Sequence, residues 1–170
     1  MRGEDGKVDA GSLSTLDPRP SSLPVHGYAS LWGVADLNGD VVARGAFAAS
    51  LAKTGARGVR MLHQHEGRAA VGVWDRMVED ERGLFVRGRI MDWSAESRFA
   101  LALSRAGALD GLSIGFRSRR ARREGRLRVL VEVELWEVSL VTFPMLPGAR
   151  FRIGRGGANT TGLLACKVFA

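Results

Sequence analysis

The sequence predicts an α+β fold that is mainly β: a small β-barrel of about seven strands flanked by helices. Short apolar or alternating segments, bounded by turn-forming Gly, Pro, Asp and Asn residues, recur along the middle of the chain and are typical of strands. Two other segments have the character of amphipathic helices. The chain has 170 residues, which is the size of one ordinary domain.

The first half of the chain is predicted to hold four strands and one short helix. The strands cover residues 25–33, 59–65, 71–78 and 84–91. Residues 45–53 are predicted to be helical because Phe47 and Leu51 are four positions apart. Residues 36–40 and 79–83 are polar and are interpreted as turns.

The second half is predicted to hold one helix followed by three strands. Ser94 is a suitable N-cap for a helix over 97–105, which ends at the Ala-Gly-Ala segment that follows. The strands cover residues 111–119, 127–134 and 135–143, and Pro144 stops the last of them. This order of elements does not alternate β and α units, so a doubly wound α/β fold is excluded.

The two ends of the chain differ in composition from its middle. Residues 1–24 are rich in Pro and Ser, and residues 152–170 contain a Gly-rich run. We interpret them as a flexible N-terminal arm and a flexible C-terminal tail. The folded domain is then residues 25–151.

The overall composition excludes several classes of protein. Apolar residues make up 45% and charged residues 25%, which is typical of globular domains rather than of disordered or fibrous chains. No apolar run approaches the ~18 residues of a membrane span, and no secretory signal is expected. The one cysteine, Cys166, cannot form an internal disulfide, which favours a reducing compartment.

Seven arginines are concentrated in one segment of a chain whose net charge is +7. They are Arg117, Arg119, Arg120, Arg122, Arg123, Arg126 and Arg128. Such a run could contact an acidic protein surface or DNA, or it could be a solvated hairpin. No aromatic residue is interleaved among them, which disfavours a platform for single-stranded nucleic acid.

Residues 111–115 read Gly-Leu-Ser-Ile-Gly, the bare pattern of a serine nucleophile at a tight turn. The pattern alone is weak evidence for a nucleophile, because an ordinary strand serine with flanking glycines has the same sequence. An α/β-hydrolase requires a histidine after the serine. All three histidines, His26, His63 and His65, precede Ser113. A serine enzyme therefore requires the order histidine, then serine.

His63 and His65 are two residues apart at the end of a predicted strand, so their side chains are expected on one face. They could bind zinc with a third ligand such as Glu66 or Asp75. They could also be a polar strand end without a role. A third interpretation is a catalytic base, because imidazole transfers protons near neutral pH.

Glu137 is a carboxylate in the middle of a predicted strand, between Trp136 and Val138. Alternation places Glu137 and Ser139 on the face opposite Trp136. A carboxylate in this setting needs a partner. The partner could be an imidazole N–H or one of the many arginines.

Seven blocks of sequence carry a resemblance to a known family. They are residues 27–33, 40–47, 61–66, 71–74, 83–88, 107–116 and 137–144. In this order they resemble the prohead proteases of tailed phages, which cleave capsid and scaffold proteins during head maturation. The family is similar in fold to the herpesvirus maturation proteases, a β-barrel flanked by helices.

The resemblance implies a role for three side chains. It implies that His65 is the base, Ser113 the nucleophile and Glu137 the carboxylate that orients the base. It implies neither a cofactor nor a metal. Two positions depart from the family pattern, since His63 replaces a common aromatic residue and Glu66 a common Asp. Without a side chain, Gly115 is expected to leave room for a substrate strand beside the nucleophile.

The function implied is a serine endopeptidase that cleaves the major capsid protein, the scaffold protein or both, and that could also cleave itself. Its expected place is the immature head in the bacterial host cytoplasm, without a membrane, as a homodimer or an assembly-dependent oligomer. Two other hypotheses stay open. One is a catalytically silent capsid-assembly factor of the same fold, and the other is a nucleic-acid-binding module built on Arg117–Arg128.

Overall fold

A computed structural model describes residues 21–154 of the chain. Its strands are Ser22–Leu31 (β1), Asp40–Val42 (β2), Arg60–Leu62 (β3), Ala70–Glu79 (β4), Gly83–Met91 (β5), Gly111–Glu124 (β6), Leu127–Val141 (β7) and Phe151–Ile153 (β8). Its helices are Ala48–Thr54 (α1) and Ala95–Arg105 (α2), with a 3₁₀ turn at Ala56–Gly58. The mainly β class predicted from the sequence is confirmed.

The strands form one curled sheet in the order β2-β7-β3-β4-β5-β1-β8, and β6 pairs with β7. A bridge between Gly111 and Arg150, with a hydrogen bond from Phe151 N to Asp110 O of 2.8 Å, brings the start of β6 beside β8. Strand β7 runs antiparallel to β6 and parallel to β2 and β3. Strand β7 therefore pairs with three other strands of the sheet.

The inner face of the curled sheet carries the apolar core. Trp74, Phe47, Met61 and Leu140 are among its largest fully buried side chains. The indole N–H of Trp74 donates to the carbonyl of Val138 at 3.2 Å, which satisfies its buried polar atom and links β4 to β7. Helix α2 contacts β4 and β5, and the predicted cap is confirmed, because Ser94 Oγ accepts from Ser97 N.

Several predicted strand boundaries are wrong. The predicted strands 127–134 and 135–143 are one strand, β7, because no turn separates Glu134 from Leu135. Strand β6 continues through the arginine run to Glu124 rather than ending at 119, because β7 pairs with it along that whole length. Strands β2 and β8, of three residues each, were not predicted.

The predicted domain limits fall inside two strands. β1 begins at Ser22, before residue 25, and β8 ends at Ile153, after residue 151. Most of the predicted N-terminal arm and C-terminal tail, with Cys166, lies outside the described residues. Those two interpretations remain predictions.

Candidate active site

The pairing of β6 with β7 sets the position of the nucleophile candidate. Ser113 lies opposite Ser139, and Gly115 lies opposite Glu137. Because residues two apart on a strand share a face, these four residues occupy one surface of the sheet. Ser113 is largely buried on this surface, with 6% of its area exposed.

The Glu137 side chain lies across strand β6 above Gly115. A Cβ atom at position 115 would be 2.6 Å from the carboxyl carbon of Glu137, far closer than any van der Waals contact. The expectation that Gly115 makes room for a substrate strand is therefore wrong in this structure. The glycine makes room for the carboxylate of its cross-strand neighbour.

His65 reaches this surface through a tight turn after β3. The strand ends at Leu62, and Gln64 and His65 have φ angles of 52° and 61°. Left-handed backbone is unusual for residues other than glycine, and strain of this kind often occurs at functional sites. Hydrogen bonds from Gln64 N to Leu140 O (3.0 Å) and from Gln64 Nε2 to Thr142 Oγ1 (2.7 Å) fix the turn to the end of β7.

The turn places the imidazole of His65 against Glu137. His65 Nδ1 is 2.6 Å from Glu137 Oε1, and the two side chains are 41% and 14% exposed. Because an ionised carboxylate only accepts hydrogen bonds, Nδ1 carries the hydrogen of this bond, and in the neutral imidazole Nε2 keeps its lone pair. The hydrogen bond to Glu137 raises the pKa of His65, against the opposing effect of burial.

The same carboxylate has a second partner. The hydroxyl of Ser139, which is fully buried, donates to Glu137 Oε2. Both oxygens of Glu137 therefore have a hydrogen-bond donor. Among the described residues no hydrogen bond joins Ser113 to His65, and in unliganded enzymes such a contact commonly closes only when substrate binds.

His63 takes a different direction from His65, so the predicted common face for the two histidines is wrong. Alternation holds only for extended backbone, and the left-handed turn ends it. His63 is buried, its Nδ1 bonds to Glu96 at the start of α2, and its ring packs edge-on against Phe99 at 6.0 Å. Residues 21–154 contain no group of three or more His, Cys, Asp or Glu side chains arranged to hold a metal ion.

A cavity of about 220 Å³ opens beside β6 near Ser113. Ala29 and Ser30 of β1 and Ile114 and Phe116 of β6 form part of its wall. The ion pair between Arg128 and Asp40 lies at the same cavity. The nucleophile candidate therefore borders a space that is lined by both apolar and charged side chains.

Comparison with known proteins places the chain in a family. The sequence profile of the caudovirus prohead serine proteases matches residues 14–161. The chain belongs to this family. Its similarity to the prohead protease of Enterobacteria phage HK97 is 34% identity over 123 residues, which cover 69% of this chain and 54% of the relative. The chain thus spans about half the length of that prohead protease.

Solved structures share the prohead protease fold at low sequence identity. The bacteriophage T4 capsid assembly protease matches with a TM-score of 0.57 at 13% identity, covering 69% of this chain and 80% of that one. The Kaposi's sarcoma-associated herpesvirus protease, bound to a hexapeptide phosphonate inhibitor, gives 0.53 at 15%, covering 79% and 66%. The varicella-zoster virus protease gives 0.52 at 17%, covering 78% and 64%.

Two features of the site were not anticipated from the sequence. The only sequence signal for the hydrogen bond between Ser139 and Glu137 is that the two residues share one face of a strand. The His63–Glu96 pair could not be anticipated because its residues are far apart in the chain. The pairing of His65 with Glu137 follows the arrangement that the resemblance implied.

No helix within residues 21–154 has the length and apolar character needed to cross a membrane.

Proposed function

We propose that this chain is a serine endopeptidase that cleaves the capsid protein, the scaffold protein or both, and also itself, during maturation of a phage head. His65, Ser113 and Glu137 form its catalytic triad. The observation that carries the proposal is the 2.6 Å bond from His65 to Glu137, on a strand paired with the strand of Ser113. Family membership supports the same reaction.

The chemistry follows from the protonation states of these groups. A serine hydroxyl is a poor nucleophile until a base removes its proton. His65 Nε2 takes that proton as Ser113 Oγ bonds to the carbonyl carbon of the peptide, and it then gives the proton to the leaving amine. In the second half, His65 takes a proton from water as the water bonds to the acyl carbon, and it returns that proton to Ser113 Oγ as the ester bond breaks. Glu137 stabilises the imidazolium in both halves.

The surroundings of Ser113 suit a peptide substrate. The 220 Å³ cavity beside β6 would accept a side chain of the substrate next to the scissile bond. The apolar residues of its lining favour a hydrophobic side chain, and the Arg128–Asp40 ion pair also borders the cavity. The reaction needs neither a metal nor a cofactor, because the triad supplies both base and nucleophile.

The proposed setting is the immature head inside the bacterial host, where substrate and protease are enclosed together. The proposed substrates are the major capsid protein and the scaffold protein. We further propose a homodimer or an assembly-dependent oligomer, since activity coupled to assembly would prevent early cutting.

Co-expression with the cognate major capsid and scaffold proteins tests the proposal. Intact masses are compared for wild type, Ser113→Ala and Ser118→Ala, the last being an exposed serine on the same strand. We expect cleavage with wild type and Ser118→Ala and none with Ser113→Ala. Heads that assemble without cleavage in all three would instead support the silent assembly factor.

The pH dependence of the reaction follows from the raised pKa of His65. Only the neutral imidazole can accept the proton of Ser113, so activity is lost as His65 becomes protonated on acidification. Because the bond to Glu137 raises this pKa, the acid limb of kcat/KM is expected above the ordinary histidine value of about 6.5. The measurement is kcat/KM against pH with a peptide that spans the mapped cut site, and a limb below that value would contradict the assignment.

The arginine run is proposed as a surface that binds an acidic part of the substrate or capsid. Four of its arginines are in ion pairs with carboxylates: Arg119 with Glu134, Arg120 with Glu132, Arg122 with Glu124 and Arg128 with Asp40. Among the described residues Arg117, Arg123 and Arg126 have no ion pair. These three therefore supply the uncompensated positive charge of the hairpin.

Replacing Arg117, Arg123 and Arg126 with glutamine is expected to leave cleavage of a short peptide unchanged and to reduce incorporation into heads severalfold. The reason is that the three side chains lie beyond the triad but on an exposed hairpin. Incorporation is measured from the protease content of purified heads. Glutamine at the exposed residues Lys53, Arg57 and Arg105 serves as the control, and equal losses in both variants would contradict a specific surface.

A further inference from the structure

The second oxygen of the Glu137 carboxylate is held by a side chain outside the triad. Ser139 is fully buried, two residues along β7 from Glu137 and on the same face of the strand. Its hydroxyl donates to Oε2, while His65 bonds to Oε1. It is also the cross-strand neighbour of Ser113.

These contacts define the orientation of the carboxylate. A glutamate side chain has three rotatable bonds, so a single hydrogen bond to Oε1 leaves its plane free to turn. The donor on Oε2 comes from β7 itself, and the backbone of Gly115 lies directly below. With both contacts in place, one rotamer of Glu137 presents Oε1 to the imidazole.

We propose that Ser139 is a positioning residue that fixes the rotamer of Glu137 and thereby holds His65 in the orientation needed to activate Ser113. The inference rests on the proposed function, since it concerns the same triad. Ser139 touches no reacting atom. Its effect passes through the Glu137 carboxylate to the imidazole.

The test uses a fluorophosphonate, which reports activation of the nucleophile by reacting with Ser113 and needs no peptide substrate. Loss of a hydrogen bond to a charged group predicts that Ser139→Ala slows labelling by about tenfold to a hundredfold. Ser139→Thr keeps the hydroxyl and is expected to restore most of the rate. Ser104→Ala is the matched control, because Ser104 Oγ is buried without a hydrogen-bond partner in the structure.

A pH profile separates positioning from simple packing. If the carboxylate turns away from His65 in Ser139→Ala, the raised pKa of His65 falls towards its ordinary value. The acid limb of the labelling rate then moves to lower pH. A packing defect would slow labelling without moving the limb.

A measurement on the wild-type protein covers the case in which Ser139→Ala does not fold. A buried hydroxyl bonded to a carboxylate exchanges slowly, so its proton is expected as a distinct downfield NMR signal that is lost in Glu137→Ala, which removes the acceptor. The proposal is overturned if that signal does not exist, if folded Ser139→Ala labels at the wild-type rate, or if its acid limb is unchanged. Failure of the proposed function is recognised separately, because then Ser113 of the wild type is not labelled even in assembled heads.

Discussion

Replacing Gly115 with alanine is expected to lower kcat/KM by about a thousandfold, within tenfold of the ~10⁴ that loss of the orienting acid costs in serine proteases. The new methyl group would lie 2.6 Å from both the carboxyl carbon and Cγ of Glu137, so the side chain must leave its position. His65 then loses the acceptor that fixes its tautomer. The measurement is kcat/KM on the mapped cut-site peptide, with the melting temperature recorded beside it.

Gly67→Ala is the matched control for this variant. A Cβ atom there meets nothing within 4 Å, and the residue lies on the same connection as His65. We expect its activity to be close to wild type. Near-normal activity of folded Gly115→Ala would show that Glu137 does not act from above Gly115.

Replacing Glu137 with glutamine is expected to reduce kcat by about 10⁴-fold while changing KM little, because the acid acts on the imidazole rather than on the substrate. The amide is the same shape as the carboxylate but can donate a hydrogen to Nδ1. His65 would then carry its own hydrogen on Nε2, where it cannot accept the proton of Ser113. The residual acid limb should also move to lower pH, since the bond that raises the pKa of His65 is lost.

Glu96→Gln provides the control for Glu137→Gln. Its carboxylate is bonded to the other histidine of the segment, His63, which packs against α2 rather than facing Glu137. We expect kcat to stay close to wild type. A large loss in Glu96→Gln with none in Glu137→Gln would transfer the role of the base from His65 to His63.

Local sequence signals were sufficient for much of the fold. Ser94 and the helix it caps, the strands that became β4 and β5, and the mainly β class all follow from spacing and turn residues. Strands β2 and β8 were missed because three residues carry no periodicity. The division of β7 was wrong because the half-buried glutamates Glu132 and Glu134 alternate within one continuous strand, where they form ion pairs with arginines of β6.

The contact of His65 with Glu137 could be predicted from the sequence, but the backbone geometry that makes it could not. His65 and Glu137 could be paired by the chemistry of a buried carboxylate together with the resemblance. The left-handed turn at Gln64 and His65 could not be predicted, because neither residue is a glycine and the neighbouring sequence has no turn motif. The contact of Glu137 with Gly115 depends on the register of β6 against β7. Three register shifts interrupt this strand pair, so the register could not be predicted from the sequence.

Reaction of the protein with a fluorophosphonate, followed by peptide mass spectrometry of the adduct, tests directly whether His65 activates Ser113. We expect one adduct, on Ser113, which is lost in His65→Ala and retained in His63→Ala. We also expect that labelled protein no longer cleaves its capsid substrate. An adduct on another serine, or labelling of Ser113 that is undiminished in His65→Ala, would contradict a triad of His65, Ser113 and Glu137.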